Sequence, residues 1–593
     1  MQIKIGYVTN NASIDLVARE LSQARVIGID TETLGLSPHL HRVRLIQFAT
    51  VDKVFVIDMF KVSYQLVREQ ILEKILPDKG KVKIFHNAKF DLEMIQTSFG
   101  YGLEEIECLF DTYVASKLCF GGSHYVSSLD NLCADYLGIQ LDKTYQTYDY
   151  SGNIYSEQIQ YAALDAAVLL PLYRLLSANV ADNKLERVCK LEFDCIKPVA
   201  KLELNGCLID KDLWIELANE GKENFRLFKN ELEDYFGRIN FNSNPQVCKI
   251  ISGWVGYEVK SKSKDSLKDL IEQYVERPDM FGKVIDYRPA LIKLLEYNDE
   301  KTYQERYGHD FLQHINTKTG RVHSQYKMTD TNTFRFSSSK PNLQNIKRDS
   351  KLRSAFIAPE GKLLACFDYS QIELRLLAHF SDDKLFKTAF ANNEDLHVFM
   401  AAQMKGMTVE QLQAKPVLLA EFRQAAKTIN FGIAYGLGAT GLARKLGITI
   451  EAARKMLKYY YDSHPDLVAW FNYQEQYFKE YDCVRTVSGR LRDLSFWRNA
   501  NLEFTAKQAS KNFPIQSSSA DILKTALVML DKELPSDWLL VNQVHDEVIF
   551  EIPEGDAVEG ERLLPEIMVK AGEKFVDTVA IKVDGKIGKG WSK

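Results

Sequence analysis

Short apolar runs alternate with stretches of helical spacing through the first 180 or so residues. Four runs rich in β-branched residues are each bounded by polar turns, which predicts strands: RVIGID, VRLIQFAT and KVFVIDMF within residues 25–60, and VKIFHN at 82–87. Apolar residues recur with helical spacing in five further stretches, which predicts helices over 64–75, 88–98, 112–119, 127–137 and 157–178. This alternation predicts an α/β domain at the start of the chain.

The rest of the chain has a different pattern. From about 187 to 310 it is mostly helical and polar, and after 310 strands and helices mix again. Strands are predicted near 363–368, 538–544 and 547–552, and long helices over 371–380, 415–434, 451–481 and 502–531. Because the sequence contains no internal repeat and no glycine-serine linker, we expect a multidomain α/β (α+β) protein whose domains pack together.

Composition narrows the class of protein. With 593 residues, 46% hydrophobic and 26% charged, the chain is globular with several domains, which excludes a disordered or fibrous protein and a single small module. Its nine cysteines form no C-x-x-C pair, which argues against a disulfide scaffold or a zinc site. The N-terminus has no signal-peptide pattern, and no uninterrupted apolar run reaches the roughly 18 residues of a membrane span. These features predict a cytoplasmic protein with no membrane partner.

The charge of the chain is unevenly distributed. A net charge of −5 argues weakly against nucleic acid as a partner. Residues 321–353, however, hold eight basic and two acidic side chains, for a local net charge of +6. A dense basic segment rich in Asn, Gln and Ser suits contacts with phosphates and with the minor groove. From composition alone, a solvated loop is the alternative interpretation.

Carboxylates recur in the predicted N-terminal domain. Asp30 and Glu32 lie two residues apart at the end of a strand, so their side chains point to the same face. Asp91 lies where a strand passes into a helix, and Tyr161 and Asp165 share one side of a helix. Four carboxylates and a tyrosine can hold two Mg²⁺ ions for phosphodiester hydrolysis, with the tyrosine orienting the attacking water. A structural α/β domain with solvated strand ends is the alternative.

A second set of residues recurs every four positions along one predicted helix. Arg423, Lys427, Phe431 and Tyr435 form one stripe, because each step of four residues drifts by only about 40° around a helix. An Arg and a Lys one turn apart can bind a polyphosphate, and the two aromatic rings offer flat surfaces to a sugar or a base. An amphipathic helix with aromatic core positions and a solvated basic end is equally compatible with the spacing.

Two acidic residues follow apolar strands in the C-terminal half. Asp368 ends the strand LLACFD, and Asp546 lies between two strands in VNQVHDEVIF. An acidic residue at the exit of a buried strand can hold a metal ion on a rigid element. If the strands are neighbours, the two carboxylates can share two Mg²⁺ ions that activate a 3′-hydroxyl and neutralise a triphosphate.

Several motifs carry a resemblance to known families. IDTET, NAKFD and YAALD resemble the three motifs of 3′→5′ proofreading exonucleases. The stripe R-x₃-K-x₃-F-x₃-YG and the segments DYSQIELR, QVHDE, RFSSSKPNLQNI and NFPIQSSSADILK resemble family A DNA polymerases. The resemblance spans nearly the whole chain, and the motifs occur in the same order as in the family. The chain is similar to the proofreading-plus-polymerase portion of the bacterial members. Phe334 stands where the family has glycine, and Gln508 where it often has arginine.

The resemblance implies roles for individual residues. Asp30, Glu32, Asp91 and Asp165 would be the exonuclease metal ligands, and Asp368, Tyr369 and Asp546 the polymerase metal ligands, with Glu547 as an auxiliary acid. Glu373, together with Tyr369, would be the steric gate against a ribose 2′-OH. The nucleotide-binding set would be Arg423, Lys427, Phe431, Tyr435, His397, Glu373, Tyr369 and Gln371. The DNA-binding set would be Arg335, Gln344, Asn345, Asn512, Gln516 and His545.

The resemblance also implies the domains, cofactors and partners. A ribonuclease H-like exonuclease domain over 1–186 would precede a right-hand polymerase over 187–593. Palm would come from about 187–215, 311–373 and 500–593, thumb from about 216–310 and fingers from about 374–499. Two Mg²⁺ ions would serve each active site, with Mn²⁺ able to substitute. The partners would be primer-template DNA, dNTPs and a single-stranded DNA 3′ end, and the chain would act as a monomer without a 5′-nuclease domain.

These observations favour a DNA-templated DNA polymerase with 3′→5′ proofreading. Three alternatives stay open at this point: a 3′→5′ exonuclease with a degenerate polymerase half, a non-catalytic DNA-binding scaffold, and an RNA polymerase. The intact Asp368, Lys427 and Asp546 argue against the first, and the Glu373 gate argues against the last. A scaffold has no need of two separate acidic clusters.

Overall fold

The structure is a computed structural model that describes residues 4–122, 125–142, 144–145, 148–272, 274, 285–346, 348, 351–434, 436–500 and 502–591. It divides into two compact units. The smaller unit comprises Cys207–Val322 and Ile346–Ile357, and the larger one Met1–Gly206, His323–Asn345 and Ala358–Lys593. The boundaries of palm, thumb and fingers stay predictions.

A six-stranded mixed sheet organises the N-terminal part of the larger unit. Its strands are β1 (Lys4–Val8), β2 (Val26–Thr33), β3 (Val43–Ala49), β4 (Lys53–Asp58), β5 (Val82–Phe85) and β6 (Leu109–Asp111), in the order β1-β4-β3-β2-β5-β6. Strands β2, β3 and β4 form an antiparallel meander, and β5 and β6 join β2 in parallel. The helices around it are α1 (Ile14–Gln23), α2 (Tyr64–Val67), α3 (Glu73–Ile75), α4 (Ala88–Phe99), α5 (Thr112–Cys119), α6 (Leu129–Leu132) and α7 (Ser156–Asp182).

This domain follows the sequence pattern closely. The four predicted strands are β2 to β5, and the predicted helices at 88–98, 112–119 and 157–178 are α4, α5 and α7. The predicted helix at 64–75 is interrupted by a π-helical turn, Arg68–Leu72. Edge strand β6 was missed because its three residues are too few to display an alternating pattern, and β1 was missed although its five residues exceed the four of β5.

Helix α7 is long and apolar enough, with a mean hydropathy of 1.3 over its most apolar window, to resemble a membrane span by length and composition. More than half of that window is buried inside the protein, where α7 packs on β2, β3 and α5. It is therefore the central helix of the domain core.

The smaller unit is mainly helical, as the sequence pattern predicts. It is entered from helix α8 (Glu186–Asn205) of the larger unit, and contains the strand pair β7 (Cys207–Leu208) and β8 (Arg321–Val322) with helices α9 (Lys211–Phe236), α10 (Asn244–Val255), α11 (Lys264–Glu272) and α12 (Arg288–Tyr307). Its own apolar core includes Phe236, Ile251, Leu291 and Leu294, all buried.

A four-stranded antiparallel sheet carries the C-terminal acidic residues. After the ribbon of β9 (Gln325–Lys327) and β10 (Ser337–Ser339) come β11 (Lys362–Tyr369), the ribbon of β12 (Cys483–Arg485) and β13 (Leu491–Asp493), and then β14 (Leu539–Val544), β15 (Glu547–Pro553) and β16 (Val583–Gly588). The sheet order is β14-β15-β11-β16. The predicted strands near 363–368, 538–544 and 547–552 are β11, β14 and β15.

Eleven helices accompany this sheet in the described part of the larger unit. They are α13 (Ile372–Ser381), α14 (Lys384–Ala391), α15 (Leu396–Lys405), α16 (Val409–Gln413), α17 (Pro416–Ala434), α18 (Ala439–Leu446), α19 (Ile450–Ser463), α20 (Pro465–Tyr481), α21 (Ser495–Asn499), α22 (Glu503–Glu533) and α23 (Ala557–Glu573). The single helix predicted over 451–481 is wrong. It divides at His464, because the residue before a proline is pushed out of the helical region.

A fully buried ion network joins the elements of the larger unit. Arg490 Nη2 lies 2.6 Å from both Glu192 Oε1 of α8 and Asp521 Oδ1 of α22, and Lys524 Nζ lies 2.5 Å from Glu192 Oε1. All four side chains are 0% exposed. Lys524 also donates to the carbonyl of Met328 at 2.9 Å. Two cations face two anions, so the network is neutral while it ties three separate stretches of chain together.

Breaking this network should be costly. Glu192→Gln leaves Arg490 and Lys524 buried with a single remaining carboxylate, and we expect it to destabilise the protein by about 3–5 kcal/mol. Thermal and urea unfolding would measure the loss. Glu566→Gln is the matched control, because its partners Arg562 and Lys570 are exposed helix neighbours, and it should melt like the wild type. An unchanged melting curve for Glu192→Gln would contradict the expectation.

Candidate active sites

The first acidic cluster forms where β2, α4 and α7 meet. Asp30 and Glu32 alternate along β2 and face the same side, and their carboxylate oxygens lie within 4.8 Å of each other and of Asp165 on α7. Asp91 of α4 is attached through Thr31, whose hydroxyl donates to Asp91 Oδ1 at 2.6 Å. The structure therefore brings together the four carboxylates that the motifs predict.

Tyr161 completes this cluster from one turn before Asp165. Tyr161 lies against the Asp165 carboxylate, and burial, followed by the neighbouring acids, raises the pKa of its phenol above the ordinary value. A second tyrosine, Tyr150, is 2% exposed and lies near Glu32, and its hydroxyl donates to the Tyr145 carbonyl at 3.4 Å. Tyr150 and Thr31 were missed because nothing in their sequence spacing links them to the acids.

Repulsion and burial dominate the electrostatics of this cluster. Burial, followed by the neighbouring carboxylates, raises the pKa of Asp30 and Glu32 well above the ordinary range. Burial also raises the pKa of Asp91 and of Asp165 to about 7. Asp165 Oδ1 is buried without a hydrogen-bond partner among the described residues. Unsatisfied, crowded oxygens of this kind fit divalent cations, which would discharge them together.

The second acidic cluster lies at the end of the four-stranded sheet. Asp368 closes β11, and Asp546 lies in the tight turn between β14 and β15, after His545 with a φ of 57°. Strand pairing sets Asp368 beside Glu547, and the Tyr369 N–H donates to the Asp546 carbonyl at 3.3 Å. The two predicted acids are therefore on neighbouring strands.

Asp546 is held by helix α22 as well as by its turn. The hydroxyl of Ser519 donates to Asp546 Oδ1 at 2.9 Å. Burial raises the pKa of Asp546, with Glu373 and Asp368 adding to the rise and Arg335 and Ser519 opposing it. Glu547 is 5% exposed, so it belongs to the buried face of the sheet. Ser519 was missed because only the fold brings α22 to this turn.

The side chain of Tyr369 lies in the core. It is 4% exposed, and its hydroxyl donates to the carbonyl of Met568 in α23 at 2.7 Å. Neighbouring residues on a strand point to opposite faces, so Tyr369 faces the core when Asp368 faces the site. Its part in the gate beside Glu373 stays a prediction. Its backbone remains beside Asp546, and Gln371 begins the next helix with a φ of 53°.

Glu373 and Arg335 form an ion pair with each other. Glu373 lies in the first turn of α13 and is 8% exposed, and Arg335 lies between the β9–β10 strands. The ion pair therefore joins the residue expected at the primer minor groove to the residue expected at the nucleotide sugar.

The other residues expected to contact DNA differ in how accessible they are. Asn345 and His545 are exposed, and Asn512 and Gln516 of α22 are partly buried. Asn512 Oδ1 is without a hydrogen-bond partner among the described residues. Gln344 is 7% exposed, and its amide donates to Gln543 Oε1 of β14 at 2.9 Å. Gln344 therefore supports the sheet through this contact, and its contact with the duplex stays a prediction.

Helix α17 carries the predicted phosphate-binding stripe as far as the structure describes it. Lys427 is exposed, and Arg423 donates to Asp395 Oδ2 through Nε and Nη2 at 3.1 and 2.8 Å. Asp395 also accepts from the first backbone N–H groups of α15. The backbone at Phe431 is helical, and the structure does not describe the side chain of this residue. Tyr435 lies outside the described residues.

His397 on α15 is buried and neutral. It is 4% exposed, and Asn430 of α17 lies 3.1 Å from its Nδ1 through the amide nitrogen. Burial lowers the pKa of His397 to about 4. The Asn430 amide therefore orients the uncharged ring of His397, the residue expected to contact a phosphate. Asn430 and Asp395 were not recognised from the sequence.

Two metal-type acidic clusters in separate α/β layers define an enzyme that acts on phosphodiester bonds at two sites. Comparison with protein families gives the particular class: the 3′-5′ exonuclease model matches residues 5–181, and the model of DNA polymerase family A matches residues 211–593. The chain belongs to DNA polymerase family A and is a DNA-directed DNA polymerase with a 3′→5′ exonuclease domain. Both domain families use divalent metal ions. The resemblance and the fold class predicted from the motifs are confirmed.

Individual relatives agree with this assignment. The chain is 30% identical to DNA polymerase I of Aquifex aeolicus, with 99% of each chain covered. It is 30% identical to DNA polymerase I of Pseudomonas aeruginosa, of which it spans 66%. Among solved structures it is similar to the POL domain of Pol1 from M. smegmatis in complex with DNA primer-template and dNTP, with a TM-score of 0.85, 25% identity and 99% of each chain covered.

The raised pKa values predict how stability depends on pH. In the metal-free protein, protonated Asp91 stabilises the fold below its ordinary value of 3.8, and this contribution is lost as pH rises to about 7. In EDTA, the melting temperature of the wild type should therefore fall more steeply with rising pH than the melting temperature of Asp91→Asn. Added Mg²⁺ should stabilise the wild type more at pH 8 than at pH 5. Parallel pH profiles for the two proteins would contradict this electrostatic picture.

Proposed function

We propose that this chain extends a primer 3′-OH with dNTPs at Asp368 and Asp546, and removes mismatched 3′ ends at Asp30, Glu32, Asp91 and Asp165. The observation that carries the proposal is the pair of separate acidic clusters, each built from the ends of buried strands and a supporting helix. A nuclease with a degenerate second half would have no reason to keep Asp546 anchored by Ser519 and flanked by Arg335.

Two Mg²⁺ ions per site are the proposed cofactors, and Mn²⁺ is expected to substitute. The donors are carboxylate oxygens, which Mg²⁺ and Mn²⁺ both prefer. In the exonuclease cluster, three carboxylates within 4.8 Å and the unpartnered Asp165 Oδ1 supply these donors. When bound, the ions would stabilise charge on the attacking and leaving oxygens. In the polymerase cluster, Asp368, Asp546 and the backbone of Tyr369 would hold them, with Glu547 supporting the turn.

The nucleotide is proposed to bind along α17. Arg423 and Lys427 would grip the triphosphate, and His397 would add one neutral hydrogen bond. Phe431 would face the sugar and Tyr435 the base, while Gln371 lies at the start of α13. Glu373, at the first turn of α13, would exclude a 2′-OH by occupying the space beside the sugar. Tyr369, which is buried at the end of β11, would act in this gate together with Glu373.

DNA is proposed to lie along the basic segment and α22. Arg335 would enter the primer minor groove after exchanging its Glu373 partner, and His545 would meet the primer terminus. Asn345, Asn512 and Gln516 would contact the duplex backbone or base edges. Gln344 acts mainly through Gln543, and its role at the duplex is indirect. At the exonuclease site Tyr161 would orient the water that attacks a single-stranded 3′ end.

The domain limits are proposed as 1–186 for the exonuclease and 187–593 for the polymerase. Within the latter, palm would be about 187–215, 311–373 and 500–593, thumb about 216–310 and fingers about 374–499. We propose that the chain acts as a monomer in the cytoplasm on primer-template DNA. The bacterial relatives are DNA polymerases, which supports this location.

Single substitutions should separate the two activities. Asp546→Asn should reduce primer extension by about 10²–10³-fold or more, because it removes a carboxylate from the proposed metal site. Degradation of a single-stranded 3′ end should be largely retained. Asp30→Asn should have the opposite effect. Extension and degradation assays with Mg²⁺, on the same folded proteins, would measure both.

The same assays test the rival functions. If wild-type protein degraded 3′ ends but extended no primer, the polymerase half would be degenerate. Equal use of rNTPs and dNTPs would oppose the Glu373 gate. Loss of both activities in either folded variant would contradict two independent sites.

A further inference from the structure

Tyr326 on β9 is held from several directions at once. It is 2% exposed. Its N–H donates to Glu203 Oε1 of α8 at 2.5 Å, and its carbonyl accepts from Lys89 Nζ of α4 at 2.6 Å. Lys89 and Glu203 are also an ion pair. Both backbone polar groups of one strand residue are thus captured by two charged side chains from two helices.

One of those helices belongs to the exonuclease cluster. Lys89 lies in the first turn of α4, two residues before Asp91. On the same helix Glu93 is 5% exposed and lies against Glu203, which is 8% exposed. A shift of β9 relative to α8 would therefore pull on the turn of helix that presents Asp91.

The phenol of Tyr326 reaches the polymerase sheet. Its hydroxyl donates to Asn542 Oδ1 of β14 at 2.7 Å, and Asn542 is 1% exposed. The next residue, Gln543, donates to the carbonyl of His545 in the turn that ends at Asp546. Two side-chain hydrogen bonds therefore connect Tyr326 to the polymerase turn, and one contact with the charged side chain of Lys89 connects it to the exonuclease helix.

A second contact supports the same piece of β14 from the other strand of the ribbon. Tyr326 pairs with Ser338 of β10, and Ser338 Oγ accepts from the N–H groups of Leu343 and Gln344. Gln344 in turn donates to Gln543. The β9–β10 ribbon thus contacts Asn542 through Tyr326, and Ser338 supports Gln344, which follows β10 and contacts Gln543. Arg335 lies within the loop of the ribbon. A displacement of the primer at Arg335 or His545 has a direct mechanical route to Tyr326.

We propose that Tyr326 is a positioning residue that couples the two active sites, so that a mispaired primer end at the polymerase turn favours excision at the exonuclease cluster. The inference rests on the two-site function proposed above. The contiguous chain runs from His545 through Gln543, Asn542 and Tyr326 to Lys89 and Asp91. Every side-chain link in it is a hydrogen bond or an ion pair, and the rest is covalent backbone.

The test is a partition measurement. The protein is bound to a primer-template with a mismatched 3′ end, Mg²⁺ and the next dNTP are added with a DNA trap, and shortened and extended primers are counted. Tyr326→Phe removes only the bond to Asn542. It should lower the ratio of excision to extension by about fivefold, toward the ratio for a matched end. Degradation of a free single strand and extension of a matched primer should each stay within about twofold of wild type.

Two further proteins make the result specific. Tyr274→Phe also removes a phenol hydroxyl, which in the smaller unit donates to the Ile285 carbonyl and accepts from the Tyr287 N–H, and it should leave the ratio unchanged. Glu203→Gln should lower the ratio of excision to extension as Tyr326→Phe does. The double variant should lower this ratio no further than either single variant, because both substitutions interrupt the same chain of contacts.

Other outcomes overturn the proposal. An unchanged ratio in Tyr326→Phe would do so, as would a parallel fall of both activities with a lower melting temperature, which marks a merely structural tyrosine. A wild-type protein that lacks one activity refutes the proposed function instead, and this is visible before any variant is made.

Discussion

The larger unit depends on one neutral, fully buried ion network. Arg490 and Lys524 face Glu192 and Asp521, and none of the four side chains is exposed. Each buried charge is tolerated in the fold because its oppositely charged partners are buried beside it. The four residues come from α8, α22 and the turn after β12. Asp521 is on the same helix as Ser519, which holds Asp546, and Arg490 lies over the ring of Phe334, next to Arg335. The geometry of the polymerase cluster therefore follows from the placement of charges that never contact substrate.

The repulsion between neighbouring carboxylates is offset differently in the two acidic clusters. In the polymerase cluster, Arg335 and the Ser519 hydroxyl offset part of the repulsion around Asp546. In the exonuclease cluster, relief among the described residues comes from the hydroxyl and backbone N–H of Thr31 and from the phenols of Tyr150 and Tyr161, and the pKa values of the acids stay high. The exonuclease cluster thus needs its metal ions to become fully ionised, whereas the polymerase cluster is partly compensated by its own cation.

The sequence pattern predicts most of the architecture and the acidic residues, but it does not predict the residues that hold those acids in position. Strand periodicity located β2, β11, β14 and β15, and with them Asp30, Asp368 and Asp546. It could also have warned that Tyr369 points away from Asp368, since successive strand residues alternate. Ser519, Tyr150 and Asp395 could not be found this way. Each acts across a long stretch of chain, and its partner is chosen by packing, which leaves no periodic trace.

The contact between Arg423 and Asp395 gives α17 an internal counter-ion. The pair is partly exposed, so it contributes little to stability and is easily exchanged. If α17 binds a nucleotide as proposed, the incoming anion must outcompete a carboxylate that is already in place and that also caps α15. A ligand with one or two negative charges would gain little by that exchange, whereas a triphosphate would also engage Lys427. The proposed site would then discriminate against weakly charged nucleotides by a competition set within the chain itself.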